Sequence, residues 1–551
     1  MINPAEVLTI ALILGTTLTL AWFISPYLAR VYKRGPSRLD RFLNPIENGI
    51  YRLVGIDADH VMGWKEYFLA GLFVNIVQMA LAFLVLTFQG SLPLNPQGFP
   101  GLSWDLSLNT VVSFATNTNL QHYAGEVSLS YLSQMTAIQF LQFTSAATGI
   151  CMGIAMLRAL VVGAKDMGNF YVDFVRTLTR ILIPFCLVGA IVLVALGVPQ
   201  TLSGYTPVTT VEGASQSILV GPVASLVVIM QLGTNGGGYY GANSAYPFMN
   251  PSQASDILEI GLMLLLPTAL IFVFGEIIGK KREVRPILIG TYGLFIIDLI
   301  IAYIPTTPFG PGIETRIGGF MSAFWTVVTT AVTTGSVNTN LSAMHPLVIL
   351  SAFMGMLIQA TPGGKGVGLM YMIMYIVITV FIVGLMSGRT PEYLGIKITS
   401  RDVLLVMLAF LIHPIIILIP TAVAYASGAV AAIGVGSNSI GFTQILYEFT
   451  SSAANNGSDF LGTTANTPFF NVATAIVIFI GRYGPIAVLL SLAGSVIGRT
   501  RSAVSGLKTD SLIFSVVLIG SILILVVLTF FPFLALGPLL SYFQGNVNGF
   551  G

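Results

Sequence analysis

Ten times along its 551 residues the chain runs for a membrane's thickness with almost no charged side chain. The runs cover roughly 4–29, 67–88, 129–157, 177–197, 254–279, 286–305, 346–387, 402–425, 467–498 and 510–535. A helix crossing a bilayer needs about 20 mostly apolar residues. Such a chain has too little polar material for a water-facing surface. Its charged residues are 8% of the total, against about 25% in a typical soluble domain. A soluble enzyme, a nucleic-acid binder and a disordered chain are excluded. The net charge of +2 is too small to call for a polyanionic partner. The expected fold is an all-α polytopic membrane protein with ten transmembrane helices. The seventh run is too long for one helix, and Pro362-Gly363-Gly364-Lys365-Gly366 at its centre predicts a break.

Basic residues follow the odd-numbered runs: Arg30 to Lys65, Arg158 to Arg180, Lys280 to Arg285, Arg389 to Arg401, and Arg499 to Lys508. These stretches hold 21 of the 24 Lys and Arg residues. Such one-sidedness predicts five cytoplasmic loops with both termini external. No basic residue precedes the first run, which reads as a span rather than a cleaved signal peptide. The opposite segments hold Asp105, Glu126, Glu212, Asp256, Glu259, Glu314, Glu448 and Asp459, against Arg316 alone. They form either a negative outer vestibule, which would concentrate cations, or ordinary solvated loops.

Four of these outer segments share a design: a half-length apolar run, then a cluster of Thr, Asn, Ser and Gly. The clusters lie within 110–119, 227–238, 325–336 and 446–458. Aligned on them, the matched pairs are Asn117-Thr118, Asn235-Gly236, Thr334-Gly335 and Asn456-Gly457. Their second members are 118, 99 and 122 residues apart. That period suits a unit of helix, re-entrant half-helix, loop and helix. The chain then divides into an extra span with a basic loop (1–66), four fused channel-like repeats (67–165, 166–282, 283–400 and 401–508), and an extra span with an external tail (509–551). Non-helical backbone at membrane depth must be buried in protein or line an aqueous path. Four such loops on a pseudo-fourfold axis could replace the hydration shell of a cation with carbonyl oxygens. None carries a carboxylate at its centre, which suits a monovalent ion better than calcium or magnesium. In this alignment three repeats place Gly at the second position, where φ > 0 is easily reached, and the first places Thr118.

Other polar residues within the apolar runs are few. Arg482 requires a partner or water, with Asp298 and Glu276 as candidates. It reads equally as a residue bordering the ion path or as part of a structural salt bridge. Lys365 has a simpler reading, a lysine snorkelling to the surface, and a sharper one, a tethered cation that blocks straight passage. Gln359, in the same break, and Arg389, after it, complete the ion-path or gate candidates. The cysteines Cys151 and Cys186 lie in apolar runs, and His413 reads as a hydrogen-bonded core residue. Gly233–Gly238 lacks the Gly-Lys-Ser/Thr ending of a phosphate loop. The longest cytoplasmic loop, 30–66, is too short for an ATP-hydrolysing domain.

Residues 116–119 (TNTN), 233–238 (GTNGGG) with 242–245 (ANSA), 453–458 (AANNGS) with 465–469 (ANTPF), and above all 388–395 (GRTPEYLG) resemble the potassium-binding A subunits of Kdp-type potassium-transporting ATPases. The resemblance covers essentially the whole chain. It implies potassium as the transported ion and a prokaryotic plasma or inner membrane. It also implies three protein partners besides membrane lipids: a P-type ATPase as the B subunit, a C subunit, and a small single-span F subunit. Filter positions carry over to Asn117, Thr118, Thr234, Asn235, Gly236, Thr333, Thr334, Gly335, Asn455, Asn456 and Gly457. The third loop departs from the pattern, with Thr-Thr-Gly-Ser where similar proteins have Ser-Cys-Gly, and Lys365 departs as well. The residues alone support a cation-selective pore, and only the resemblance supplies a pump. A stand-alone potassium channel or symporter, an intramembrane enzyme and an assembly scaffold remain as alternatives.

Overall fold

The structure, a computed structural model, describes residues 4–305, 312–501 and 508–545. The end of the expected C-terminal tail, 546–551, lies outside the described residues. Among the described residues, ten helices are long and apolar enough to cross a membrane: α1 (Pro4–Tyr32), α3 (Trp64–Ser91), α5 (Tyr131–Ala159), α6 (Phe170–Ala195), α8 (Gln253–Ile278), α9 (Lys281–Ala302), α12 (Val367–Met386), α13 (Ser400–Ala426), α15 (Pro468–Val496) and α16 (Leu512–Phe543). The protein is therefore a multi-pass membrane protein of the all-α class. Between these lie α2 (Asp40–Val54), the half-helices α4 (Trp104–Ala115), α7 (Val223–Leu232), α10 (Gly319–Ala331) and α14 (Ser439–Ala453), and α11 (Pro346–Ile358). The long seventh run is thus two helices, α11 and α12, with the expected break at 359–366.

Local chemistry sets the helix ends. Ser252 and Thr399 open α8 and α13 with reciprocal capping boxes. Thr467 caps α15, where Pro468 holds the first helical position. The helices are apolar on every face, as expected when one side meets lipid and the other meets protein.

Burial sorts the helices into two shells. In the last helix of each loop-bearing unit (α5, α8, α12 and α15), 89, 72, 72 and 61% of the most apolar window is buried. For α3, α6, α9 and α13, the first helix of each unit, the share is 33–39%, and for the end helices α1 and α16 it is 22% and 28%. The inner four surround the loops that the half-helices deliver.

The five basic loops lie on one face, because hydrogen bonds join them. Lys33 donates to Glu276 O at 2.6 Å, and Asn169 to His60 O at 3.0 Å. Arg501 donates to Leu160 O at 2.6 Å and Leu394 O at 2.8 Å, while Thr509 reaches Glu283 at 2.9 Å. On this face residues 388–395 lead into a small hairpin, Glu392–Tyr393 paired with Ile396–Lys397. The amphipathic helix α2 is fastened here by Arg180. Its guanidinium donates to Glu47, Asp40 and Asn44 at 2.6–2.8 Å from a π-helical turn at Leu178–Leu182.

Candidate functional site

The half-helices α4, α7, α10 and α14 end in the same way. After each C-cap comes a non-glycine residue at positive φ: Asn117 (69°), Thr234 (42°), Thr333 (47°) and Asn455 (52°). The next residue reaches back five positions with its N–H: Thr118 to Ser113 O (2.9 Å), Asn235 to Met230 O (2.7 Å), Thr334 to Thr329 O (2.8 Å) and Asn456 to Ser451 O (2.9 Å). Strained backbone of this kind costs roughly 1–3 kcal/mol per residue and clusters at functional sites.

These shared marks fix the register of the four loops and correct the alignment made from sequence. Thr118 is equivalent to Asn235, Thr334 and Asn456, and Asn119 is equivalent to Gly236, Gly335 and Gly457. The sequence alignment set the first loop one residue early by matching Thr118 to glycine. The residue at that place is Asn119, whose φ of 58° is tolerated by Asn. Asn119 is the site residue that sequence reasoning missed. The signal was present in Asn119 as the second Asn of Thr-Asn-Thr-Asn, a type that often substitutes for glycine in left-handed conformation.

The loops meet through their carbonyls. A Cβ built on Gly236 would lie 2.8 Å from Thr334 O, 2.9 Å from Asn456 O and 2.9 Å from Thr118 O. Those are the equivalent carbonyls of the three other loops. On Gly335 a Cβ would fall 2.1 Å from Asn456 O, and on Gly457 2.0 Å from Thr118 O. The place where a side chain would project is therefore a cage of main-chain oxygens. Side-chain amides tie the loops together. Asn117 Nδ2 donates to Thr234 O (2.6 Å), Asn455 Nδ2 to Thr118 Oγ1 (2.9 Å) and Asn456 Nδ2 to Thr329 O (3.0 Å). Ser145 Oγ bridges Asn117 Oδ1 and Asn235 Oδ1 at 3.1 and 3.3 Å.

Above the cage opens a cavity of about 520 Å³. Asn119, Gly236, Gly335 and Gly457 form its floor; Glu126, Glu314 and Asp459 stand in its wall, and among the described residues no Lys or Arg lines it. Burial and the Glu448 charge raise the Asp459 carboxyl above its ordinary value. The other acids expected either in a vestibule or on solvated loops divide differently. Asp105, Asp256, Glu259 and Glu448 are buried behind the loops as braces, because each sits on a half-helix or at the head of the helix that follows one. Glu448 faces His122 Nε2 at 3.0 Å, and His122 Nδ1 faces Asn471 Oδ1 at 2.6 Å. Glu259 accepts from Gln231 (2.7 Å) and Ser244 (2.8 Å); Asp256 accepts from Asn250 (2.8 Å) and Asn338 (2.9 Å).

The ion-path candidates are scattered. Lys365 is not a snorkelling lysine. It is 1% exposed, and its Nζ donates to Asn117 Oδ1 at 3.0 Å and Thr234 Oγ1 at 2.9 Å. The break is held inward, with Gly363 N–H bonded to Ala331 O at 2.8 Å. Arg482 is buried close by, but with neither proposed acid. It donates to Ser145 O at 3.4 Å, while Glu276 pairs with Lys281, and the Asp298 carboxylate has no hydrogen-bond partner among the described residues. Gln359 terminates α11 in left-handed conformation. Arg389 is exposed beyond the far end of α12, a helix length from the cage, because α12 runs without interruption to Met386. His413 Nε2 donates to Ala453 O at 3.1 Å within the core.

Residues 11–543 match the family described as potassium-transporting ATPase A subunit. A potassium-transporting ATPase potassium-binding subunit of Alicyclobacillus acidocaldarius is 44% identical over 550 residues, covering 97% of this chain and 98% of that one. Its counterpart in Caldanaerobacter subterraneus is 42% identical over 543 residues, covering 94% and 96%. The one in Gloeobacter violaceus is 43% identical over 552 residues, covering 94% and 95%.

Proposed function

The chain belongs to the family of potassium-transporting ATPase A subunits, and from that premise we propose that its four loops form the filter that selects potassium for the pump. Ions enter from the carboxylate-lined cavity, taken as the external face. They shed water against the carbonyls of Thr118, Asn235, Thr334 and Asn456 and are handed on to the P-type ATPase, the B subunit, with the C and F subunits completing the complex. Hydrolysis belongs to the partner, and the role of this chain is binding and selection. The remaining residues at the cage set its shape. Gly236, Gly335 and Gly457 keep three of the four entrance positions free of side chains, Asn119 is the fourth, and Asn117, Thr234, Thr333 and Asn455 turn the backbone so that successive carbonyls face inward. The four units that deliver these loops are the four repeats.

The observation that carries this reading is the set of three equivalent carbonyls around Gly236, one from each other loop, within 2.9 Å of where its Cβ would be. Neutral oxygens in a fixed ring suit a weakly hydrated monovalent cation. Gly236→Asp puts a carboxylate into the ring. In the purified complex, potassium-stimulated ATP hydrolysis is expected to lose at least about tenfold in its preference for potassium over sodium, ~1.4 kcal/mol. An unchanged preference would refute the filter.

A further inference from the structure

Directly beneath the cage lies the side-chain amine of Lys365, which the chain itself supplies. The Lys365 ammonium accepts no compensation from a carboxylate among the described residues. Its two hydrogen-bond partners are neutral oxygens, Asn117 Oδ1 at 3.0 Å and Thr234 Oγ1 at 2.9 Å. Both belong to the residues that open the first two filter loops. They are the kind of oxygen that would ligate a monovalent cation. An ammonium resembles such an ion in charge and offers three donors to surrounding oxygens.

The backbone around Lys365 is packed so that the charge stays there. A Cβ on Gly149 of α5 would meet Lys365 O at 3.0 Å and Arg482 Nη2 at 2.6 Å. A Cβ on Gly366 would lie 2.1 Å from Gly149 O. Two glycine faces therefore let the break press against α5, and Arg482 adds a second cation on the same side.

We propose that Lys365 is a tethered cation occupying the inner potassium position of the filter, so that the filter binds an ion from the cavity and cannot conduct it straight through. This rests on the filter reading above. The physical reason is that conduction needs several sites and ions that displace one another in file. An ammonium fixed to the backbone cannot be pushed onward. A filter with its inner site filled in this way is a binding site rather than a pore, which is what a pump requires at its entrance.

The test uses the whole complex in two formats. Anomalous scattering from thallium, a potassium substitute, locates bound ions; rubidium efflux from proteoliposomes without ATP measures leak. The native complex is expected to show thallium at the carbonyl cage alone. Lys365→Met is expected to show a second thallium between Asn117 Oδ1 and Thr234 Oγ1, with passive rubidium efflux raised at least tenfold. Lys365→Gln, which keeps a hydrogen-bond donor and removes the charge, is expected to leak like the Met variant and guards against a packing defect. A Gln variant as tight as the native complex, or a Met variant lacking either the second ion or the leak, overturns the proposal. Absence of thallium from the cage in the native complex would instead overturn the filter reading.

Discussion

Gly335→Ala tests the cage at one of its crowded points. Gly335 has φ +88°, and its added Cβ would lie 2.1 Å from Asn456 O and 2.8 Å from Gly457 Cα, both main-chain atoms. An alanine held in left-handed conformation costs about 1–2 kcal/mol. Forcing a methyl into packed surroundings costs about 1–3 kcal/mol. Together these give a destabilisation of roughly 2–5 kcal/mol, all of it located at the filter. Relief requires the Asn456 carbonyl to retreat by roughly an ångström to reach ordinary contact. That carbonyl is one of the proposed ligands, so potassium affinity should fall at least about tenfold, ~1.4 kcal/mol. The control is Gly434→Ala. Its φ is +75°, with nothing within 4 Å of the new Cβ, so it carries the conformational cost without the collision. The assays are thermal unfolding of the complex and the potassium concentration for half-maximal ATP hydrolysis. Gly434→Ala should lower the melting temperature and leave half-saturation unchanged, whereas Gly335→Ala should shift both. Native half-saturation in Gly335→Ala would refute the convergence of carbonyls on an ion.

Asn117→Gly keeps the positive φ and deletes the amide that donates to Thr234 O at 2.6 Å. Losing that tie, worth about 1 kcal/mol, should raise the half-saturating potassium concentration roughly fivefold; no change would show that the tie is irrelevant to the ion. Arg180→Met strands the buried Glu47 and should destabilise the protein by about 3–5 kcal/mol in thermal unfolding. Hydrogen bonds from Arg180, and then from the Ser37 N–H, hold the Asp40 carboxyl below its ordinary value of 3.8. A depressed carboxyl contributes stability above that ordinary value and loses it as pH falls further. The melting temperature should therefore drop less on acidification in Asp40→Asn than in the native chain, and equal slopes would count against the pairing.

Much of the architecture is legible in the chain because bilayer length and Gly/Pro punctuation are local signals. The spans lie close to the observed helices, and the break at 359–366 follows from consecutive glycines after Pro362. The register of the first loop was not legible. Asn119 adopts a positive φ as Gly335 and Gly457 do, but Asn117 two residues earlier adopts one too, so residue type alone does not say which Asn matches the glycines. The bracing acids were misplaced for a related reason. Glu259 and Glu448 read as outer-face residues by position, and only the fold shows that Gln231, Ser244 and His122 wait for them inside. Lys365 was hardest to place. A lysine in an apolar stretch snorkels by default, and its actual direction depends on oxygens more than a hundred residues away in sequence.

All four loops belong to one polypeptide, so their ring need not be symmetric. In a tetramer of identical chains, one codon change alters every quarter of the ring, and a lysine beneath it would appear four times, its charges repelling one another around the axis. Here Thr118, Asn235, Thr334 and Asn456 can each be exchanged alone, and a single ammonium can enter from one quarter. Fusion of the quarters thus allows the oxygens to be tuned one at a time and the charge below them to be set in steps of one.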